Sequence, residues 1–132
     1  MAKYLGIDFG SKRVGIALSD DGGSMAFPKD VLANDEALLE KVNSIVGDQL
    51  VEKIVIGESQ NYQMQDNKIM HSARKFAEEL AKISGKEVIF HPEFLSSVQA
   101  GHLQDKNAKI DASAAAIILQ SYLDIQQNGN KN

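Results

Sequence analysis

The sequence predicts an α/β domain on a mixed five-stranded sheet, its first three strands antiparallel and its faces flanked by helices. Three observations predict it. Two apolar runs, one from Tyr4 to Phe9 and one from Val14 to Leu18, flank the short polar turn Gly10-Ser11-Lys12-Arg13, the pattern of a β-hairpin. Downstream, apolar runs of strand length alternate with segments of helical periodicity. The run Ile54-Val55-Ile56 is apolar throughout, which suits a strand covered on both faces. Hairpins first and alternating strand–helix units afterwards give a mixed sheet.

Each element has its own signal. After the opening hairpin, a glycine-containing turn spans residues 20–24, and a third short strand is expected at Met25-Ala26-Phe27, ending at Pro28. Asn34 or Asp35 then caps a helix over residues 36–50, where Leu38, Leu39, Val42, Ile45, Val46 and Leu50 recur at helical spacing. A fourth strand is Lys53-Ile54-Val55-Ile56-Gly57, followed by a polar loop over residues 58–66. The second helix covers residues 68–84, with Ile69, Ala73, Phe76, Ala77 and Leu80 on one face and Gly85 as its stop. The fifth strand is Glu87-Val88-Ile89-Phe90, halted by Pro92. A short helix over residues 96–103 and a last helix over residues 111–126 complete the order, with an Asn-rich, frayed tail at residues 127–132. There is no internal repeat or linker, so residues 1–132 read as one domain.

Composition narrows the function. The chain has 132 residues, 43% of them hydrophobic, enough for one real core. It has no cysteine, which rules out disulfides and thiolate metal sites. No apolar run reaches membrane-spanning length and no signal-peptide pattern opens the chain, so a cytoplasmic protein with no membrane partner is expected. The net charge of −4 requires any nucleic-acid grip to be a local patch rather than an overall basic surface.

The most informative residue is Asp8, an ionisable carboxylate inside an otherwise apolar strand. A buried charge is costly unless something pairs with it. A metal, a phosphate or a structural ion pair would each serve, and so would a buried hydrogen bond. Glycines at 6, 10 and 15 leave room for a ligand or backbone to approach. Two further acids stand out by position. Glu93 lies just past the fifth strand, and Asp111 opens the apolar helix Asp111-Ala112-Ser113-Ala114-Ala115. Singly, Glu93 reads as a solvated residue and Asp111 as a helix N-cap. Together, at one sheet edge, the three carboxylates would repel one another unless a cation neutralised them. Hard oxygen donors suit Mg²⁺ or Mn²⁺, and paired ions about 3.5–4 Å apart activate water and stabilise the leaving oxygen of a phosphodiester.

Longer motifs carry a family likeness. The segments are Gly6-Ile7-Asp8-Phe9-Gly10-Ser11-Lys12-Arg13-Val14-Gly15-Ile16-Ala17, the middle-helix run Arg74-Lys75-Phe76-Ala77-Glu78-Glu79-Leu80, and the terminal run from Asp111 to Leu123. Over residues 3–124 the chain resembles the YqgF family, the Holliday-junction-resolvase-like or pre-16S rRNA nucleases. The resemblance implies a single RNase H-like domain and an acidic triad at Asp8, Glu93 and Asp111 that serves as catalytic and metal-binding set. It also implies Glu58 as a candidate further ligand, because related resolvases place a carboxylate at the end of that strand. The family's Asp-Glu-Arg-Leu-Thr-Thr is here Pro92-Glu93-Phe94-Leu95-Ser96-Ser97, and its basic loop before the final helix is reduced to Lys106 and Lys109.

Nucleic-acid contacts are expected from Ser11, Lys12 and Arg13 on the hairpin turn and from the hydroxyls of Ser96 and Ser97. The bland alternative for Lys12 and Arg13 is a solvated turn. His71, His91 and His102 lack zinc-ligand spacing; His91, near Glu93, reads as a surface residue ahead of one that orients water or substrate, and Tyr62, able to stack on a base, is a lone aromatic in a polar loop. The leading expectation is a Mg²⁺- or Mn²⁺-dependent endonuclease, monomeric or homodimeric, acting on structured RNA or branched DNA. Pre-16S rRNA processing leads, ahead of junction resolution. Two other classes stand beside it: a nucleotide-binding lobe, from the resemblance of Asp8-x-Gly10-Ser11 to a phosphate loop, and a non-catalytic RNase H-like binding module.

Overall fold

The computed structural model describes residues 2–58, 68–92 and 108–130, with only the backbone described at Lys68, residues 108–113 and residues 127–130. The order is β1 (Lys3–Phe9), β2 (Arg13–Ser19), β3 (Ala26–Ala33), α1 (Leu38–Asp48), β4 (Val51–Glu58), α2 (Lys68–Ser84), β5 (Glu87–Pro92) and α3 (Ala108–Asn130). The strands form one five-stranded sheet ordered β3-β2-β1-β4-β5. β2 pairs antiparallel with both β1 and β3, whereas β1–β4 and β4–β5 are parallel. This is the expected mixed sheet with an antiparallel first half, and β1 lies at its centre.

Side-chain alternation divides the core in two. Leu5, Ile7, Val14, Ile16, Ile54 and Ile56 point to one face and pack under α1 and α2, against Val42, Phe76 and Leu80 among others. Ala17 and Val55 point to the other face, where Ala115, Ile118, Leu119, Tyr122 and Leu123 of α3 cover them. Strands buried on both faces carry continuous apolar runs for this reason.

Several boundaries differ from the sequence expectation, each for a physical reason. β3 does not stop at Pro28 but runs on to Ala33. It is an edge strand, where a missing N–H is tolerated, and the register shifts between Ile16 and Ala17, next to the Ala17–Pro28 pair. α1 begins at Leu38, with Ala37 as N-cap and no side-chain cap bond, so neither Asn34 nor Asp35 caps it in the expected way. Asp35 instead accepts the Ala37 N–H through Oδ1 at 2.9 Å. β4 extends at both ends, to Val51 and Glu58, and β5 runs on through Pro92. α2 spans the residues that the periodicity predicts. α3 begins three residues before Asp111 and continues to Asn130, past the point where the tail is expected to fray. The short helix expected over residues 96–103 lies outside the described residues. No helix among the described residues is long and apolar enough to cross a membrane.

Candidate functional site

Asp8 occupies the carboxyl end of β1, half-buried and directly opposite Gly15 of β2. Its neighbours Ile7 and Phe9 point into the α1–α2 core, so alternation turns Asp8 to the α3 face, with Tyr4 and Gly6. That face lies against α3 in a defined register. Tyr4 meets Tyr122, ring centroids 5.9 Å apart. At Gly6 the helix is so near that an added Cβ would stand 2.7 Å from Leu119 Cβ and 3.0 Å from the Ala115 carbonyl oxygen. The room that Gly6 leaves is therefore filled by helix backbone, not by a ligand.

These contacts show that α3 runs antiparallel to β1. Two residues along a strand advance about 6.6–6.8 Å, and four residues along a helix about 6 Å. Passing from Gly6 to Asp8 thus keeps step with one turn of helix toward the start of α3, from the level of Ala115 and Leu119 back to that of residues 111–115. The backbone of Asp111 lies in the first turn of α3, so Asp111 is not the residue that opens the helix. In the described chain the carboxyl ends of the parallel strands β1, β4 and β5 share one edge of the sheet, where open α/β sheets bind ligands. Glu58, last residue of β4, pairs with Pro92, last residue of β5. Alternation groups Glu58 with Ile54 and Ile56, on the face opposite Asp8. Glu93 follows Pro92 in the chain and lies outside the described residues, as do Ser96, Ser97, His102, Lys106 and Tyr62. Among the described residues no three His, Asp or Glu side chains gather as a metal site. Asp8 is the one triad member whose side chain is described.

The hairpin turn beside Asp8 is tightly closed. Gly10 N–H donates to the Arg13 carbonyl at 3.1 Å. A Cβ on Gly10 would stand 2.5 Å from that same oxygen, so no other residue fits there without a shift. Ser11, Lys12 and Arg13 are all exposed at the tip. Sequence reasoning missed the residue that braces this turn. Asn34 donates its backbone N–H to the Lys12 carbonyl at 2.9 Å and its side-chain Nδ2 to the Gly10 carbonyl at 2.7 Å. An Asn shortly before a helix resembles a cap, and nothing local in the sequence signals a partner 24 residues away.

His91 is not the surface residue that was expected. Its Nε2 lies 3.0 Å from Ser121 Oγ, and its ring stands edge-on to Tyr122 with centroids 5.8 Å apart. Burial lowers its pKa below the usual 6.5. His71 is exposed on α2, and Met70 is buried in the core.

Comparison with known proteins follows the same lines. Residues 2–125 match the family model described as RuvX, Holliday junction resolvase. A Sulfurihydrogenibium protein named "Putative pre-16S rRNA nuclease" is 36% identical over 132 residues, covering 94% of this chain and 91% of the relative. A protein of the same name from Nitratidesulfovibrio vulgaris is 35% identical over 136 residues, covering 96% of each chain. Among solved structures, Thermus thermophilus RuvC in complex with a Holliday junction substrate has a TM-score of 0.65 at 17% identity, covering 96% of both chains. The fowlpox virus Holliday junction resolvase has a TM-score of 0.52 at 16% identity, covering 92% of this chain and 98% of its own. These structural likenesses show the RuvC-like RNase H fold that the sequence motifs imply. By the extent of the family match and the identity of its relatives, the chain belongs to the RuvX Holliday junction resolvase family.

Proposed function

We propose that this protein is a divalent-metal-dependent endonuclease that trims structured RNA, with 5′-end processing of pre-16S rRNA as its reaction and the cytoplasm as its place of work. The observation that carries the proposal is the position of Asp8. A carboxylate at the carboxyl end of the central strand faces the helix whose first turn contains Asp111. The names of the relatives at 36% and 35% identity support RNA as the substrate.

The donor set fits the ion. Asp8, Glu93 and Asp111 offer only carboxylate oxygens, which suit Mg²⁺ or Mn²⁺ and neither require nor favour a softer metal. When bound, such ions supply water activation and charge neutralisation at the leaving oxygen. The chain's own residues do the rest. Asp8, Glu93 and Asp111 would hold the cation, while Glu58, alternating with Ile54 and Ile56 along β4, falls on the face of the sheet opposite Asp8. Ser11, Lys12 and Arg13 take the phosphate oxygens beside the scissile bond, with Ser96 and Ser97 as further contacts. Hydrolysis adds one water across one P–O bond: the water oxygen joins phosphorus, and the ester oxygen leaves as a hydroxyl carrying a proton.

A second reading is resolution of branched DNA, which the printed description of the matching family favours. One experiment separates the two. An RNA hairpin with a single-stranded 5′ leader and a four-way DNA junction are incubated with the full chain and Mn²⁺. The expected result is cleavage of the RNA, reduced about a hundredfold or more in Asp8→Asn with unchanged thermal stability. Cleavage of the junction alone would support the second reading. Mn²⁺ calorimetry that shows the same binding in wild type and Asp8→Asn would remove the metal assignment.

A further inference from the structure

We infer that Asn34 is a positioning residue, one that clamps the hairpin turn of residues 10–13 so that its phosphate-contacting groups are presented together. The inference rests on the nuclease reading above and names the residue that sets its substrate grip.

Asn34 follows Ala33, which pairs with Arg13 at the end of the β2–β3 ladder. From there it takes two carbonyls of the turn. Its N–H reaches the Lys12 oxygen at 2.9 Å, and its carboxamide Nδ2 reaches the Gly10 oxygen at 2.7 Å. In a trans peptide the N–H points opposite to the C=O. Ser11 N–H shares its peptide with the Gly10 carbonyl, so the clamp turns it away from Asn34. Asp8 lies two residues before Gly10, near the end of β1. The Ser11 amide, the Ser11 hydroxyl and the two cations of Lys12 and Arg13 then form one exposed set of donors beside the carboxylate edge. Phosphate oxygens are held by such mixtures of backbone amides, hydroxyls and cations.

The chemistry of the clamp is specific. The partner at Gly10 is a carbonyl oxygen, so position 34 must donate. Aspartate there would set oxygen against oxygen, and alanine would leave the carbonyl without this bond. The carboxamide is not engaged at the helix start, because α1 has no side-chain cap bond and Asp35 serves the Ala37 N–H. At its other end the turn is closed by the Gly10 N–H on the Arg13 carbonyl, an approach that leaves no room for a Cβ at position 10. The turn is thus held from both ends, and Asn34 is the end contributed by a distant segment.

The test uses the full chain and the 5′-leader RNA hairpin. Asn34→Ala and the isosteric Asn34→Asp are expected to raise KM by about threefold to tenfold, the value of one neutral hydrogen bond, with kcat within about twofold. Amide exchange at Ser11 and Lys12, followed by ¹⁵N NMR, is expected to quicken in both variants while the rest of the sheet is unchanged. In a Lys12→Ala/Arg13→Ala background, the effect of Asn34→Ala on KM is expected to shrink without vanishing, because two of the presented groups are gone while the Ser11 amide and hydroxyl remain. Unchanged KM in both variants of an enzyme that cleaves would overturn the inference and leave the nuclease reading standing. So would an undiminished effect in the double-alanine background. A wild type that cleaves no RNA and no junction would instead overturn the nuclease reading, and this inference with it.

Discussion

His91 and Asp20 give the protein two distinct pH sensitivities. His91 is held neutral by burial, with its pKa below the usual 6.5. The unfolded chain takes up a proton there as pH falls past that value, while the folded chain resists. Stability from this site is therefore complete above about pH 6.5 and is lost as pH falls toward the folded pKa. His91→Gln keeps a polar partner for Ser121 without the titration. Between pH 7 and pH 5 the melting temperature of wild type should fall more steeply than that of His91→Gln, measured by circular dichroism; parallel slopes would show that His91 is not the group. Asp20 acts lower on the scale. The Ser24 hydroxyl at 2.7 Å, with the N–H groups of Met25 and Ser24, holds its carboxylate below the usual 3.8. That contribution persists through the His91 window and fades only in stronger acid. Residues of this kind differ in legibility. Asp8 declares itself because a charge interrupts an apolar strand. Asn34 and His91 acquire their roles from partners far away in the chain, which a local reading does not reach.

Among the elements, the contact between β1 and α3 decides how the candidate site is assembled. Gly6 is the position where the helix crosses the central strand, and even a methyl group there would press on Leu119 and the Ala115 carbonyl. Gly6→Ala is expected to cost about 1–3 kcal/mol in denaturant unfolding, the usual range for overpacking. It should also reduce cleavage more than its stability loss explains, because the displaced helix has Asp111 in its first turn. Full activity in Gly6→Ala at a temperature well below its melting point would argue against coupling between helix seating and chemistry. The elements were legible where one rule dominates. The periodicity of α2 sets its extent and Gly85 marks its C-terminal end, adopting a φ of 72° that few other residues accept. β3 was less legible because Pro28 argues for a stop. Only its place at the sheet edge, set by the whole topology, makes proline acceptable. The Gln120 side chain adds a tie of the same long-range kind, accepting the Ala26 N–H at 2.8 Å and joining α3 to the start of β3.

For the molecule as a whole, the net charge of −4 sets the terms of nucleic-acid binding. A net negative charge gives no overall attraction for a polyanion, so the proposed grip falls to local cations. A contact made chiefly by Lys12 and Arg13 should give a shallow salt dependence, a log–log slope of roughly −1 to −2, by counterion release. Fluorescence anisotropy of labelled RNA between 50 and 300 mM salt measures it; a slope several times steeper would reveal phosphate contacts well beyond Lys12 and Arg13. The fold class was legible at this scale because strand and helix signals alternate in the order that a mixed sheet needs. Which glycine serves a ligand was not, since Gly6 meets a helix and Gly10 closes a turn, and both look alike in a string of letters.

The sheet's direction has a further meaning for how such a protein can change over generations. The turn of residues 20–25 and the short connections from α1 to β4 and from α2 to β5 all lie at the end of the sheet opposite Asp8. A Cβ at Gly22 would meet open space, whereas Gly23 and Gly85 are held to glycine by φ values of 67° and 72°. Insertions, drift in length and new surface chemistry can collect at that end without moving a carboxylate. The edge that carries Asp8 and the edge that carries these connections are thus separate, and relatives are expected to differ in length chiefly in the turns farthest from Asp8.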